Sequence, residues 1–469
     1  MIIKLKNLGP LKQAQFEIGD MTIICGPNNT GKTYATYALF GFLSFWKQFI
    51  SIDVTSNSVQ QLMDEGATEL DLNDYINDAE AILHKGCEEY TKQLPRFFAS
   101  SEKYFTDTSF LIDIEENDIQ PKQSFELTMG TAKTKLITIL KQPPDPMVHI
   151  SLLVEKDERK MPNALISKVI GDAIKVIGDA IKEILFGHLF PNVFIASAER
   201  TGAAIFRKEL NFARNRLLEQ MSTSGKEFNP LDLLLKVFSD YAWPVRANVD
   251  FTRQLETVAK RESFIAKEHP ELLRDFSDII GGEYTVTRSD ELFFIPRANK
   301  RLKLTMDESS SAVRSLLDVG FYLRHVAQPG DLFVIDEPEL NLHPENQRRI
   351  ARLFARLVNL GIKIFMTTHS DYIVKELNTL IMLNHEKPHL KRIMENEGYN
   401  PDEMVFSNAV KVHIAEEAPI MLDGGQRKTR CQTLTPADID PELGIEARSF
   451  DKTIEDMNRI QEEIIWGGE

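Results

Sequence analysis

Cysteine is scarce in this chain. Only Cys25, Cys87 and Cys431 occur among 469 residues, too few and too scattered for a disulfide framework or a zinc knuckle. Long apolar runs are missing as well. No stretch reaches the roughly eighteen uninterrupted apolar residues of a membrane helix, and the first residues carry no leader pattern. Positive charge is in deficit, with 55 Lys and Arg against 70 Asp and Glu and a net charge of -15. That balance disfavours a general electrostatic affinity for nucleic acid while leaving room for a local basic groove. Sustained heptads are absent, which excludes long coiled-coil arms. What remains is an ordinary globular composition, 42% apolar and 27% charged, in a chain long enough for two or three lobes. The expectation is a soluble, cytoplasmic protein with no membrane partner.

Local patterning predicts short strands at 2–5 and 14–18, a compact apolar strand Met21–Cys25, a loop and then a helix to Trp46. Residues 57–105 read as helical and acidic, and strands are predicted over 110–114, 125–129, 135–140 and 149–154. Residues 51–190 are therefore read as an inserted α+β and helical lobe. The tandem repeat Val169–Lys175 and Val176–Lys182 is too short for a coiled coil and reads as a duplication in a packed helix. Val193–Ala196 is a further strand, ending at Ser197-Ala198-Glu199-Arg200. Residues 191–280 read as a helical lobe, 281–400 as α/β, and 401–469 as a tail. That tail begins with a strand-like 409–415 and closes in an amphipathic helix where Phe450, Ile454, Met457 and Ile464 share a face.

Three motifs carry chemistry. Gly26-Pro27-Asn28-Asn29-Thr30-Gly31-Lys32-Thr33 fits the P-loop pattern and lies between a buried strand and a helix. Its glycines let main-chain N–H groups close on phosphate oxygens at a helix N-terminus. Lys32 would reach the β- and γ-phosphates and Thr33 would offer its hydroxyl to Mg²⁺. By chance the pattern arises in roughly 2% of chains of this length. Far downstream, Leu332-Phe333-Val334-Ile335-Asp336-Glu337 is an apolar strand ending in two carboxylates. Asp336 is the expected Mg²⁺ partner and Glu337 the residue that polarises the attacking water, against the plain reading of a solvated Asp-Glu-Pro turn. Met366-Thr367-Thr368-His369-Ser370 ends the next strand. The helix between them has apolar Ile350, Leu353, Phe354, Leu357 and Val358 and stops at Gly361, so the flanking strands should be parallel neighbours. His369 then emerges beside Glu337, placed to contact a γ-phosphate.

Together these motifs resemble the ABC-type ATPase heads of the SMC, RecF and OLD group. The resemblance covers residues 1–45, 190–205 and 280–380, with a weaker likeness in 434–466. It implies an α/β P-loop NTPase head, with residues 1–50 and 281–400 as its two parts. Ser309-Ser310-Ser311 stands at the signature position, in a serine-rich form similar to OLD-like ATPases, ahead of one helix bearing Val313, Leu316, Leu317, Gly320 and Phe321. Glu339-Leu340-Asn341-Leu342-His343-Pro344 stands where the D-loop would be. Ser197–Arg200 resembles the group's Ala-Glu-Arg turn, but no metal-binding glutamine is identifiable there.

The resemblance implies Mg²⁺-dependent ATP binding and hydrolysis, with ATP sandwiched between two copies because the signature serines act in trans. No nuclease pattern follows His369. The chain thus resembles the ATPase subunits of two-component phage-defence systems, such as AriA of PARIS and PtuA of Septu, in which the ATPase senses infection and controls a separate nuclease or toxin. The alternative is a RecF-type repair ATPase that binds DNA directly, for which Arg348-Arg349-Ile350-Ala351-Arg352 and the stretch Arg207–Arg216 are candidate phosphate contacts. A transporter ATPase is disfavoured, since the transporter-type signature is absent.

Overall fold

The structure, a computed structural model, describes residues 1–115, 118–130, 135–153, 163–206, 241–287, 291–446 and 448–466. Residues 130, 135–136, 163–173, 448–455 and 466 are described for their backbone only. The basic stretch Arg207–Arg216 lies outside the described residues, as do the side chains of Phe450 and Ile454. The chain forms two compact units. One comprises Met1–Ile3, Phe42–Lys92 and Phe110–Pro191; the other comprises Lys4–Gly41, Gln93–Ser109 and Asn192–Glu469.

The larger unit is built on a six-stranded sheet. The strands of that sheet and the helices that bear on its edge are, in chain order, β1 (Met21–Cys25), α1 (Lys32–Phe49, entering the other unit at Phe42), β2 (Val193–Ala196), α2 (Arg200–Ile205), α3 (Ser311–Ser315), α4 (Leu317–Phe321), β3 (Leu332–Asp336), α5 (Pro344–Asn359), β4 (Lys363–Thr368), β5 (Val410–Met421) and β6 (Lys428–Pro436). The spatial order is β6-β5-β1-β4-β3-β2. Every neighbouring pair is parallel except β5–β6. The strands β1 and β3 are buried along their whole length, as near-continuous apolar runs in a parallel sheet must be. Between β3 and β4, α5 turns Ile350, Leu353, Phe354, Leu357 and Val358 into the core. It starts where the His343 imidazole accepts the Glu345 N–H and Pro344 occupies the first turn, and Gly361 follows it at φ 82°. Aromatic rings lock strands to helices: Tyr322 stacks on Phe194 and Phe333 at 4.6 and 4.7 Å, contacts worth about 0.5–1.5 kcal/mol each beyond buried area.

Two features depart from the sequence-based expectation. The tail's first strand, β5, is the neighbour of β1 on the side opposite β4, so residues 410–421 belong to the main sheet. The single helix expected after the serine run is broken into α3 and α4 at Leu316, with a wider turn at Tyr322–Val326. At this break Leu316 leaves helical geometry at φ -104° and ψ 8°, and the Ser315 carbonyl before it accepts from the Arg200 guanidinium (Nε to O, 2.6 Å), a side chain wedged against the end of α3.

The smaller unit carries an antiparallel sheet whose strands run in the order Ala67–Asp71, Met147–Leu152, Lys135–Lys141, Phe125–Gly130. The first of these interrupts a region that reads as helical throughout. Its alternating burial is too short a signal to stand out beside helices Ser56–Glu65 and Ala79–Phe97. Phe42, Tyr90, Phe110 and Phe190 pack together with ring centroids 5.0–5.5 Å apart.

On β5, His413 is buried against Phe16, and its Nε2 accepts the Glu17 N–H at 3.2 Å. Burial pushes its pKa down to about 4. The unfolded chain, with an ordinary imidazole near 6.5, takes up the proton first. This contribution is therefore complete above pH 6.5 and lost as pH falls towards 4, by about 3 kcal/mol. Between those values the urea midpoint should fall more steeply for the wild type than for His413→Gln; equal slopes would show that His413 is not the group responsible.

Candidate functional site

Parallel register brings the ends of four strands to one edge of the larger unit. Cys25 of β1 is level with Thr368 of β4, Thr367 with Asp336 of β3, and Ile335 with Ala196 of β2. Loops leaving that edge carry the chemistry, as they do in open α/β sheets generally.

The loop after β1 turns sharply. Gly26 has φ 136° and Gly31 φ 98°, and both are closely faced: a Cβ on Gly26 would lie 2.5 Å from the Ala415 carbonyl oxygen, and one on Gly31 2.6 Å from Leu11 Cγ. Only glycine fits this cradle. Thr30 donates to the Pro27 carbonyl, and α1 opens at Lys32 with no acidic residue in its first turn, as an anion site at a helix N-terminus requires. Lys32 is 6% exposed, and its Nζ donates to the Gly26 and Pro27 carbonyls at 2.9 and 2.7 Å. Burial lowers the pKa of Lys32, opposed by the charges of Glu337, Asp336 and Glu339.

Thr33 donates its hydroxyl to Asp336 Oδ2 at 3.1 Å, and Thr367 donates to Oδ1. Asp336 is 1% exposed, and burial pushes its pKa up to about 6, with the Thr367 bond acting against the rise and the Glu337 charge adding to it. A hydroxyl and a carboxylate side by side form an oxygen donor set suited to a hard divalent cation such as Mg²⁺. Glu337 follows at φ 52°, a left-handed conformation that costs a non-glycine residue about 1–2 kcal/mol. Its N–H donates to the Thr367 carbonyl at 3.1 Å. His369 lies next to it, with Nδ1 3.5 Å from Glu337 Oε1 and 3.3 Å from Glu339 Oε1.

Lys32, Thr33, Asp336, Glu337 and His369 are thus brought together. The serines are not: among the described residues no hydrogen bond joins Ser309, Ser310 or Ser311 to Gly26–Thr33. Ser309 donates to the Thr305 carbonyl, Ser310 caps α3 by accepting the Val313 N–H, and Ser311 accepts from Arg314. Asn341 sits at φ 61° in the turn before α5, and Leu342 is buried.

Three residues at the site were given no role by the sequence. Glu339, 5% exposed, accepts the Thr368 hydroxyl and the His369 N–H, both at 2.8 Å, and so fastens the histidine loop. Glu199 accepts the Tyr37 hydroxyl at 2.7 Å and stands close enough for its charge to raise the Asp336 pKa. Arg200 is 1% exposed and donates to four main-chain carbonyls: Ser315 (2.6 Å), Ser197 (2.8 Å), Asp336 (2.6 Å) and Glu337 (2.8 Å). The available signal is a charged pair set off by two residues from the end of an apolar strand; the carbonyl partners leave no sequence trace.

The basic run on α5 is neutralised within the chain. Arg348 pairs with Glu376 at 2.6 Å, Arg349 with Glu345 at 3.4 Å and Arg352 with Glu403 at 2.7 Å, while Ile350 and Ala351 are buried. Those acidic partners offset the positive potential that nucleic-acid phosphates would meet on this face. Among the described residues no helix is long and apolar enough to cross a membrane.

Residues 1–374 match the AAA ATPase domain family. No curated protein matches the chain. Among solved structures it is similar to the SMC head domain from Thermotoga maritima, with 12% identity and a TM-score of 0.30 over 93% of this chain and 98% of that one. It is also similar to an Smc head bound to the C-winged helix domain of ScpA, with 11% identity and a TM-score of 0.31 over 92% and 97%. A third is an Smc head with an extended coiled coil bound to the C-terminal domain of ScpA derived from Pyrococcus furiosus, with 13% identity and a TM-score of 0.30 over 98% of each chain. At such TM-scores these likenesses carry no weight for function.

Proposed function

The chain belongs to the AAA ATPase domain family, and on that premise we propose that it hydrolyses ATP with Mg²⁺ and serves as the sensor or scaffold subunit of an anti-phage system that controls a separate nuclease or toxin. Its fold is α/β, of the P-loop NTPase kind. The observation that carries the hydrolytic reading is the convergence of Lys32, the Thr33–Asp336 pair, Glu337 and His369 on one sheet edge.

In this reading the main-chain amides of 26–33 and Lys32 bind the triphosphate and stabilise charge as the terminal phosphoryl group transfers. Thr33 and Asp336 would hold Mg²⁺, which supplies charge neutralisation of the phosphates when bound. Glu337 takes the proton of the attacking water, and His369 contacts the γ-phosphate. Ser309, Ser310 and Ser311 meet the nucleotide of a second copy, which makes the working form at least a dimer.

The scaffold reading is supported by the resemblance to two-component defence ATPases and by a smaller unit that the nucleotide chemistry does not use. Direct DNA binding is the weaker reading because the α5 arginines are paired internally. The test is ATP turnover with Mg²⁺, together with a pull-down of the tagged chain from cells carrying its native operon, with and without nuclease treatment. Turnover and a stoichiometric, nuclease-resistant protein partner are expected. Absent turnover rejects the enzyme, and recovered DNA without a protein partner rejects the scaffold.

A further inference from the structure

We propose that Arg200 is a positioning residue: it holds the main chain of Glu337 in its left-handed turn and ties that turn to the helix following the serine run. The inference rests on the hydrolytic reading above. Arg200 opens α2, one residue beyond the Glu199 that pairs with Tyr37, and its guanidinium lies wholly inside the larger unit.

Its partners explain why an arginine is there. A guanidinium offers five N–H donors in a rigid fork, and here they serve four carbonyls on three separate segments. Two of those carbonyls, Asp336 and Glu337, are consecutive and belong to the peptide units on either side of the left-handed Glu337 Cα. Fixing both restrains the two peptide planes that meet at Glu337, and with them the direction in which its carboxylate leaves the main chain. The Nε donor reaches the Ser315 carbonyl at the end of α3. The same serine's hydroxyl donates to the Leu340 carbonyl at 3.0 Å, just past Glu337. Ser310, the cap of α3, and Glu337 are therefore joined through Arg200 and Ser315 by hydrogen bonds and one turn of helix. A displacement of the serine run, as when a second copy engages it, is transmitted to the carboxylate that activates water. Charge is provided for: Asp318, Asp336, Glu339 and Glu337 surround the guanidinium and oppose the cost of its burial.

The test measures kcat, KM for ATP and equilibrium ATP affinity for wild type, Arg200→Lys, Glu337→Gln and the double variant, with folding checked by circular dichroism. A lysine cannot span four carbonyls, so kcat should fall by about 10²-fold while KM and ATP affinity stay within about twofold. In the Glu337→Gln background Arg200→Lys should cost nothing further, because the residue acts through Glu337. Unchanged kcat, or loss of ATP affinity matching the loss of turnover, overturns the positioning role. Wild type without turnover overturns both this inference and the hydrolytic reading. Should Arg200→Lys fail to fold, Ser315→Ala carries the test: it removes the hydroxyl that ties α3 to Leu340 (and that also reaches the Ala312 carbonyl within α3, at 3.0 Å) while leaving the Arg200 bond to the main chain, and should lower kcat several-fold at unchanged KM. An unchanged kcat there overturns the linkage.

Discussion

Glu337→Gln chain should bind ATP and scarcely turn it over. General-base contributions are about 10²–10⁴-fold in rate, and we expect a loss in that range. The substitution keeps side-chain volume and leaves untouched the main-chain contacts that hold residue 337, the Thr367 and Arg200 bonds. Folding and the P-loop cradle are therefore expected to survive. Loss of the charge also removes the first of the carboxylates that favour the ammonium of Lys32, a change that bears on binding far less than on proton transfer. If ATP sits between two copies, the variant should accumulate as an ATP-dependent dimer on size-exclusion chromatography. Wild-type turnover in this variant would remove Glu337 from the mechanism.

Gly26→Ala should have a comparably large effect through geometry alone. The new Cβ would lie 2.5 Å from the Ala415 carbonyl of β5, in a main-chain conformation at φ 136° that an alanine rarely adopts. Neither atom is the end of a flexible side chain, so the loop or β5 must move. Backbone strain of about 1–3 kcal/mol and overpacking of about the same size should combine into a loss of several kcal/mol. ATP affinity should fall with it, because the cradle is set by this turn. Gly202→Ala is the matched control: it lies in α2 with open space around it and ordinary φ, and should change the urea midpoint little. Equal behaviour of the two variants would show that the Gly26 turn is not under the constraint described.

The parts of the molecule legible in the sequence are those where a local pattern and its partner lie close together along the chain. Strand β1 with its loop and α1, and the β3–α5–β4 unit, are of this kind: apolar runs, one helical stripe and a terminal polar residue at each strand end. Asp336, Glu337 and His369 could be named because each ends or directly follows such a strand, and Thr33 because it closes the glycine-bounded loop where α1 begins. Pairings across long separations left no local mark. Strand β5 reads as a strand, but that it lies against β1 rests on hydrogen bonds between residues nearly four hundred positions apart. The break between α3 and α4 was invisible for a different reason. Val313, Leu316, Leu317, Gly320 and Phe321 do have a helical spacing, and the arginine that meets the Ser315 carbonyl at the break stands 115 positions earlier in the chain. Glu339 shows no role in the sequence, since one of the groups it holds is the main-chain N–H of His369.

The place of β5 has a practical consequence for dissecting this protein. The family match stops at residue 374, yet the strand that walls one side of the P-loop strand begins at Val410 and supplies the carbonyl against which Gly26 is fitted. A fragment trimmed to the matched region would not be a minimal ATPase. It would present β1 as a raw edge, with unpaired main-chain groups on the very strand that feeds the nucleotide loop, a template for sticking to other chains. The smallest piece worth isolating for the ATP chemistry is bounded by the sheet, through the β5–β6 hairpin, and not by the similarity.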